Sequence, residues 1–164
     1  MDVRDVEAAE IGQLATLWYN GWHDALAPVL PADLARYRTL SSFEDRLRAA
    51  FPHVRVVGSL MEPVGFCIVN GDELCQIYVS AQARGSGVAA ALIADAEARL
   101  SEHGVTIAWL ACAIGNERAA TFYEKCGWHR TGTMSNHVET PNGVLPLEAW
   151  RYEKHLPNRR MEGS

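Results

Sequence analysis

Two hydrophobic periods divide the chain. From Glu7 to about Leu26 the apolar residues Ile11, Leu14, Trp18 and Trp22 recur at steps of three and four, the spacing of one buried helix face. Val3 to Val6 before it is a short strand candidate. Pro28 and Pro31 break the helix, and a short second helix is expected after Pro31. Ser41 with Glu44 three residues on has the form of a capping box. It predicts a third helix with Phe43, Leu47 and Ala50 on one face. From Val54 the period shortens. Val54 to Leu60 and Gly65 to Val69 read as strands, the second closed by the hairpin signal Asn70-Gly71-Asp72. Glu73 to Val79 is the next strand, so this block predicts an antiparallel meander.

Val88 to His103 returns to the helical period, with Leu92, Ala96 and Leu100 in register and Gly104 as the C-terminal cap. Val105 to Ala113 is a near-continuous apolar run, the pattern of a strand buried on both faces. Strand, helix and strand in this order predict a right-handed parallel crossover. Asn116 to Cys126 is a helix with Asn116 as N-cap, an apolar face of Ala119, Phe122 and Cys126, and Gly127 at its end. Trp128 to Met134 and Leu145 to Glu153 are the last strands. Ser135 to Gly143, with Asn142-Gly143, is expected as the loop between them.

A length of 164 residues predicts a single domain, taken as 1–155, and the polar tail 156–164 is expected to be loose. The net charge of -5 argues against nucleic acid and suits a cationic or neutral partner. No apolar run reaches the ~20 residues of a membrane helix, and the N-terminus lacks a signal-peptide pattern. Cys67, Cys75, Cys112 and Cys126 each lie in an apolar stretch with no C-x-x-C pair. They read as small hydrophobes in a reducing cytoplasm. His103, His129 and His137 have no metal spacing with them, so no metal is expected.

The chemistry concentrates between Ile77 and Ala91. An apolar strand enters a turn with Gly85 and Gly87, and the turn opens a helix. The first amides of a helix lack intrahelical partners and sit at its positive dipole end, which makes an anion site. Gly85 to Ala90 also fits G-x-G-x-x-A, a dinucleotide fingerprint. That fingerprint places its first glycine directly after the strand and an acid about 20 residues on. Here Ser80 to Arg84 intervene, and Val105 to Ile114 contain no acid. No Gly-Lys-Ser/Thr follows, which excludes a kinase-type P-loop.

Gln82-Ala83-Arg84-Gly85-Ser86-Gly87 matches Gln/Arg-x-x-Gly-x-Gly/Ala, and the segment resembles the acyl-CoA-binding motif of the GNAT superfamily of N-acyltransferases. Asn116-Glu117-Arg118-Ala119-Ala120-Thr121-Phe122-Tyr123-Glu124-Lys125-Cys126-Gly127-Trp128 is similar to that family's Asn-x-x-Ala-x-x-Phe-Tyr-x-x-x-Gly-Phe segment, with Trp128 for Phe. The resemblance covers roughly residues 64 to 134. It implies an α+β fold: a mixed, mostly antiparallel sheet with helices on both faces. The fourth strand would end in a bulge and splay from the fifth.

The same resemblance implies acetyl-CoA as donor and a primary amine as acceptor. Backbone groups near Ile77, Tyr78 and Val79 would hold the pantetheine, and the Val79 amide would polarise the thioester carbonyl. Gln82 and the amides of Arg84, Gly85, Ser86, Gly87, Val88 and Ala89 would hold the pyrophosphate. Asn116, with Ala119 and Phe122 on the same helix, would line the pantetheine arm. Tyr123 would be the general acid. A thiol has a pKa of about 8.5, so a phenol near 10 suffices to protonate the departing sulfur. An alkyl ammonium is neutral in roughly one molecule in two thousand at pH 7, so a base is needed. Glu73 is the first candidate and Asp72 the second.

Some protein N-terminal acetyltransferases of the family carry a glutamate on the fifth strand where this chain has Ala111. That departure favours a small-molecule acceptor, with a protein amine as the alternative. Trp22, His23, His137 and Glu139 are candidates for the acceptor pocket, although the helical period makes Trp18 and Trp22 core residues too. Dimers are common in that family, which makes a homodimer one candidate assembly. A CoA-binding module without catalysis and a nicotinamide enzyme are the competing classes.

Overall fold

In the computed structural model, which describes residues 1–157, β1 (Val3–Asp5) leads through a short 3-10 turn into α1 (Ile11–Ala25). A four-residue helix, α2 (Ala32–Ala35), and α3 (Leu40–Ala49) follow. Next come β2 (Val54–Ser59), β3 (Glu62–Asn70), β4 (Glu73–Val79), α4 (Val88–Glu102), β5 (Ile107–Ala113) and α5 (Glu117–Lys125). The hairpin β6 (His129–Thr140) and β7 (Gly143–His155) closes the fold. The strands form one sheet in the order β1-β2-β3-β4-β5-β7-β6. All pairs are antiparallel except β4 with β5.

The two faces of the sheet carry separate cores, because side chains alternate along each strand. Leu14, Trp18, Phe43 and Leu47 from α1 and α3 pack on Val54, Val56 and Phe66. Leu92, Ala96 and Leu100 of α4, with Ala120 of α5, pack on the other face against Cys67, Ala108 and Leu110. Helices thus cover both faces, as the fold class expected. Gly21 lets α1 lie close on the sheet: a Cβ there would stand 2.6 Å from Cδ1 of Tyr78. Among the described residues, no helix is long and apolar enough to cross a membrane.

Several expectations are corrected. The cap of α3 is Thr39, whose hydroxyl accepts from the Ser42 amide at 3.1 Å. Ser41 lies inside the helix, because extended backbone ends at Thr39. Most of the expected loop from Ser135 to Gly143 is strand. β6 and β7 pair continuously to Thr140 and Gly143, and Val138 and Leu147 pack against the α1 and α3 core. β5 is not buried on both faces: Ile107 is exposed and Trp109 and Ala111 are partly open, alternating with buried Ala108, Leu110 and Cys112. Finally, the tail does not come loose at Leu156. The Leu156 side chain is buried and its amide donates to the Thr106 carbonyl at 2.8 Å. Ser101 Oγ donates to the Pro157 carbonyl. The rest of the tail lies outside the described residues.

One ion pair, buried at its Glu10 end, ties the N-terminus to the sheet. Arg4 Nη1 and Nη2 donate to Glu10 Oε1 and Oε2 at 2.9 and 2.7 Å, and Glu10 also accepts the amides of Glu7 and Met61 at 3.1 Å each. The Glu10 side chain is fully buried. The Arg4 hydrogen bonds hold its carboxyl below the usual range, against the opposing effect of burial. Glu10→Ala is expected to cost about 1–3 kcal/mol, since it leaves the Glu7 and Met61 amides without an acceptor while Arg4 keeps the Gly58 and Ser59 carbonyls. Urea denaturation at pH 7 measures the loss. A depressed carboxylate stabilises above its unfolded value and loses that contribution as pH falls through the folded one. The difference between the two proteins should therefore shrink in acid.

Candidate active site

A gap in the sheet organises the site. β4 and β5 meet at the single bridge Glu73–Trp109. There the Trp109 amide and indole Nε1 donate to the Asp72 carbonyl and Oδ1 at 3.1 and 2.9 Å. Beyond the bridge β5 is held on its other edge, where β7 pairs with it from Ile107 to Ala113, and β4 stays with β3. The Ser80 amide donates to the Val64 carbonyl at 2.8 Å. Hydrogen-bonded pairs alternate along an antiparallel ladder. Gln76, Tyr78 and Ser80 therefore turn their backbone groups to β3, and Ile77 and Val79 turn theirs into the gap. The register shift between Ile68 and Val69 puts an extra residue into β4 near Cys75. The bulge is thus near the start of β4, not at its end as expected. It keeps Cys75 and Tyr78 with the α1 core, while Ile77 and Val79 pack with the α4 core.

The gap opens into a cleft of about 1430 Å³. On one side lies the glycine turn. Gly85 and Gly87 have φ of 79° and 90°, left-handed backbone that glycine adopts without a steric cost. Among the described residues, no heavy atom beyond its own chain neighbours lies within 4 Å of where a Gly85 Cβ would stand, leaving room for a ligand against the backbone. The first helical bond of α4 runs from the Ala91 amide to the Gly87 carbonyl at 3.0 Å. The amides of Val88, Ala89 and Ala90 therefore precede the ladder and suit an anion. The amides of Arg84 and Ser86 are already used, donating to Ala81 and Ala83 carbonyls at 3.4 and 3.3 Å. Arg84, Gly85, Gly87, Val88 and Ala89 line the cleft; Gln82 and Ser86 do not. Their expected contact is corrected: the 3-10 turn Ala81–Ala83 turns Gln82 outward, and Ser86 Oγ bonds back to the Ala83 carbonyl.

α5 supplies the facing wall. Asn116 caps it, its Oδ1 accepting the Ala119 amide at 3.5 Å, which leaves its NH2 group for a ligand. Asn116, Ala119, Phe122 and Tyr123 all line the cleft. The Tyr123 ring stands 5.6 Å from Phe122 and 6.0 Å from Tyr152. Burial pushes its phenol far above the usual value, so it stays protonated at any ordinary pH. Glu73 lines the cleft at the bridge end of β4. Burial, foremost, raises its carboxyl above the usual range, and Asp72 adds repulsion. Asp72 itself does not line the cleft, because the Trp109 indole holds its carboxylate.

The remaining wall comes from α1, the α2–α3 segment and the hairpin. Trp22 is buried and contributes to the wall, and His137 and Glu139 line it from β6. His23 does not. Its Nε2 is 2.9 Å from the Arg38 carbonyl and its ring packs 4.2 Å from Tyr19, so it braces α1 against the α2–α3 segment. The tip of the hairpin closes over the cleft: Asn142 Nδ2 donates to the Tyr37 hydroxyl at 2.5 Å. Arg38, Arg46 and Arg118 also line the cleft. The sequence carried a signal for Arg46. It falls on the Phe43, Leu47 and Ala50 face, where a charge is out of place. Arg118 and Arg84 share Asp24 Oδ2 of α1 at 3.3 and 3.0 Å, a link across the mouth of the cleft.

This geometry has counterparts. The model of the acetyltransferase (GNAT) family matches residues 17–128. The peptidyl-lysine N-acetyltransferase YjaB of Escherichia coli strain K12 is 28% identical over 141 residues, 80% of this chain and 84% of that protein. A GCN5-related N-acetyltransferase of Rhodopseudomonas palustris superposes with a TM-score of 0.74 at 19% identity, covering 94% of this chain and 95% of that one. The PaiA N-acetyltransferase of Thermoplasma acidophilum, solved in complex with coenzyme A, superposes with a TM-score of 0.67 at 14% identity, covering 94% and 98%.

Proposed function

The chain belongs to the acetyltransferase (GNAT) family, and from that premise we propose that it transfers an acetyl group from acetyl-CoA to the primary amine of a small molecule, directly, within a ternary complex. An N-acetyltransferase needs a place where a thioester and an amine meet from opposite sides. The divergence of β4 and β5 beyond Glu73–Trp109 is the observation that carries this reading. It leaves the Ile77 and Val79 backbone unpaired within the sheet and open to an extended pantetheine arm. The amides opening α4 suit the pyrophosphate.

Acetyl-CoA supplies an acyl carbon that takes the amine lone pair as its C–S bond breaks and the pair leaves on sulfur. Glu73 accepts the proton lost by the amine, directly or through water. The Val79 amide donates a hydrogen bond to the acyl oxygen as its charge grows. Tyr123 donates its proton to the departing sulfur. Its raised pKa does not disqualify it, because burial raises thiols in this cleft as well. Cys112 is pushed up to about 11 and Cys75 to about 12. A thiolate formed there is a correspondingly stronger base.

Two observations favour a small acceptor. Ala111 puts a methyl group on the cleft wall of β5, so no carboxylate reaches the gap from that position. The Tyr37–Asn142 contact narrows the acceptor side. The similarity to a peptidyl-lysine N-acetyltransferase supports a second reading, a peptide amine. The four free thiols suit a reducing, cytoplasmic setting. A free-thiol release assay with acetyl-CoA across small amines and lysine peptides, with product masses, tests both. Acetylated small amines are the expected result. Turnover with peptides alone would move the acceptor to protein, and no thiol release with any amine would overturn acetyl transfer.

A further inference from the structure

Among the described residues, two cations on the acceptor side of the cleft have no counter-ion. Arg38 and Arg46 both line it. Among the described residues neither guanidinium makes an ion pair or a hydrogen bond, and Arg38 Nε is buried without a partner. Other arginines of this protein are provided for. Arg55 has Asp5 and Asp95, and Arg84 and Arg118 have Asp24. Asp45, the acid beside Arg46 in sequence, is engaged by Arg48 at 3.4 Å.

The surroundings do not neutralise the pair. Arg46 lies over the Trp18 ring, 4.3 Å from its centroid, which offsets part of its desolvation. Burial lowers both guanidinium pKa values, that of Arg46 to about 10, with repulsion from Arg38 as the second cause. The Tyr78 hydroxyl is a further polar group close enough to influence both. Burial pushes it up to about 12, so it is a neutral donor and not the missing anion. Like charges taken out of water together call for an anion to complete the site.

We propose that the acceptor is an amine that also bears a carboxylate, held by Arg38 and Arg46 on the α1 and α3 face of the gap. This rests on the acetyl-transfer reading. Arginine forks match a carboxylate in bidentate geometry. They belong to the same face as Tyr78, opposite the face where α4 and α5 enclose the donor side. A carboxylate anchored there directs the amine into the gap from the side away from the pyrophosphate cradle. The two positive charges also favour the neutral amine, the form that attacks. The acidic balance of the whole chain pointed to a cationic or neutral partner; Arg38 and Arg46 call for an anionic group on that partner.

Matched pairs test this: L-phenylalanine with 2-phenylethylamine, L-lysine with cadaverine, and phosphoethanolamine with ethanolamine. The carboxylate-bearing member should have the higher kcat/KM, and Arg38→Gln or Arg46→Gln should raise its KM by ~10- to 100-fold, the size of a lost charge-assisted contact. KM for acetyl-CoA should not move. Arg38→Lys, which keeps the charge and loses the fork, should fall between. Calorimetric titration of each amine into the coenzyme A-saturated protein makes the same comparison without turnover. Equal use of the decarboxylated members, or a preference surviving in both Gln variants, overturns the assignment while leaving acetyl transfer intact. A preference confined to phosphoethanolamine assigns the pair to phosphate and overturns the carboxylate. Failure of coenzyme A to bind sinks the acetyl-transfer reading instead.

Discussion

Tyr123→Phe is expected to lower kcat by ~10²–10⁴, the usual contribution of a positioned acid, with the affinity for acetyl-CoA nearly unchanged. The ring lies between Phe122 and Tyr152 and phenylalanine fills the same space, so the fold and the donor site should persist. Only the hydroxyl is lost, and with it the proposed proton donor to the departing sulfur. Because burial keeps that phenol protonated well above the usual value, wild-type activity should show no alkaline loss near pH 10 from this group. Steady-state kinetics paired with coenzyme A calorimetry separate the outcomes. Unchanged kcat removes Tyr123 from the mechanism. Equal losses in kcat and in coenzyme A affinity make it a packing residue.

Glu73→Gln has a comparable expected effect, ~10²–10⁴ in kcat, with a distinctive pH signature. Burial raises this carboxyl above its usual range, so the base form appears only as pH rises through that raised value. Wild-type kcat/KM should fall on the acid side of it, and the Gln variant should lose that limb. Stability should move the other way. A carboxyl with a raised pKa favours the folded state below its unfolded value, and that contribution is lost as pH rises through the folded value. At pH 8 the Gln variant should melt no earlier than wild type. A variant that melts early and loses activity in proportion would reduce Glu73 to a structural residue. One that keeps the acid limb would assign the limb to another group.

The glycine turn and the capped helix facing it were readable because their determinants are local. Gly85 and Gly87, the start of α4, Asn116 and Tyr123 lie in two short stretches, each set by turn chemistry and capping within a few residues. The acceptor side was not. The place of His23 on α1 predicts a residue facing substrate, yet its ring is held at the Arg38 carbonyl. Ser135 to Gly143 looked like a loop because polar residues outnumber apolar ones. Strand pairing with β7, a long-range interaction, overrode that local preference. Cys75 could not announce a bulge, since a bulge is defined by its partner strand.

By itself, then, the sequence determined the order of elements, the mostly antiparallel sheet, the glycine cradle and the acid and base candidates Tyr123 and Glu73. The elements follow from periodicity and local caps, and the acid and base candidates from the family resemblance. Only the tertiary structure decided where β4 and β5 part, which amides of the turn are already engaged, and that Arg38 and Arg46 reach the cleft with no counter-ion among the described residues. Those outcomes depend on which groups distant in the chain meet, and on how much water their meeting excludes. A one-dimensional pattern records that a residue is charged; whether its charge is paired is settled only when the chain has closed around it.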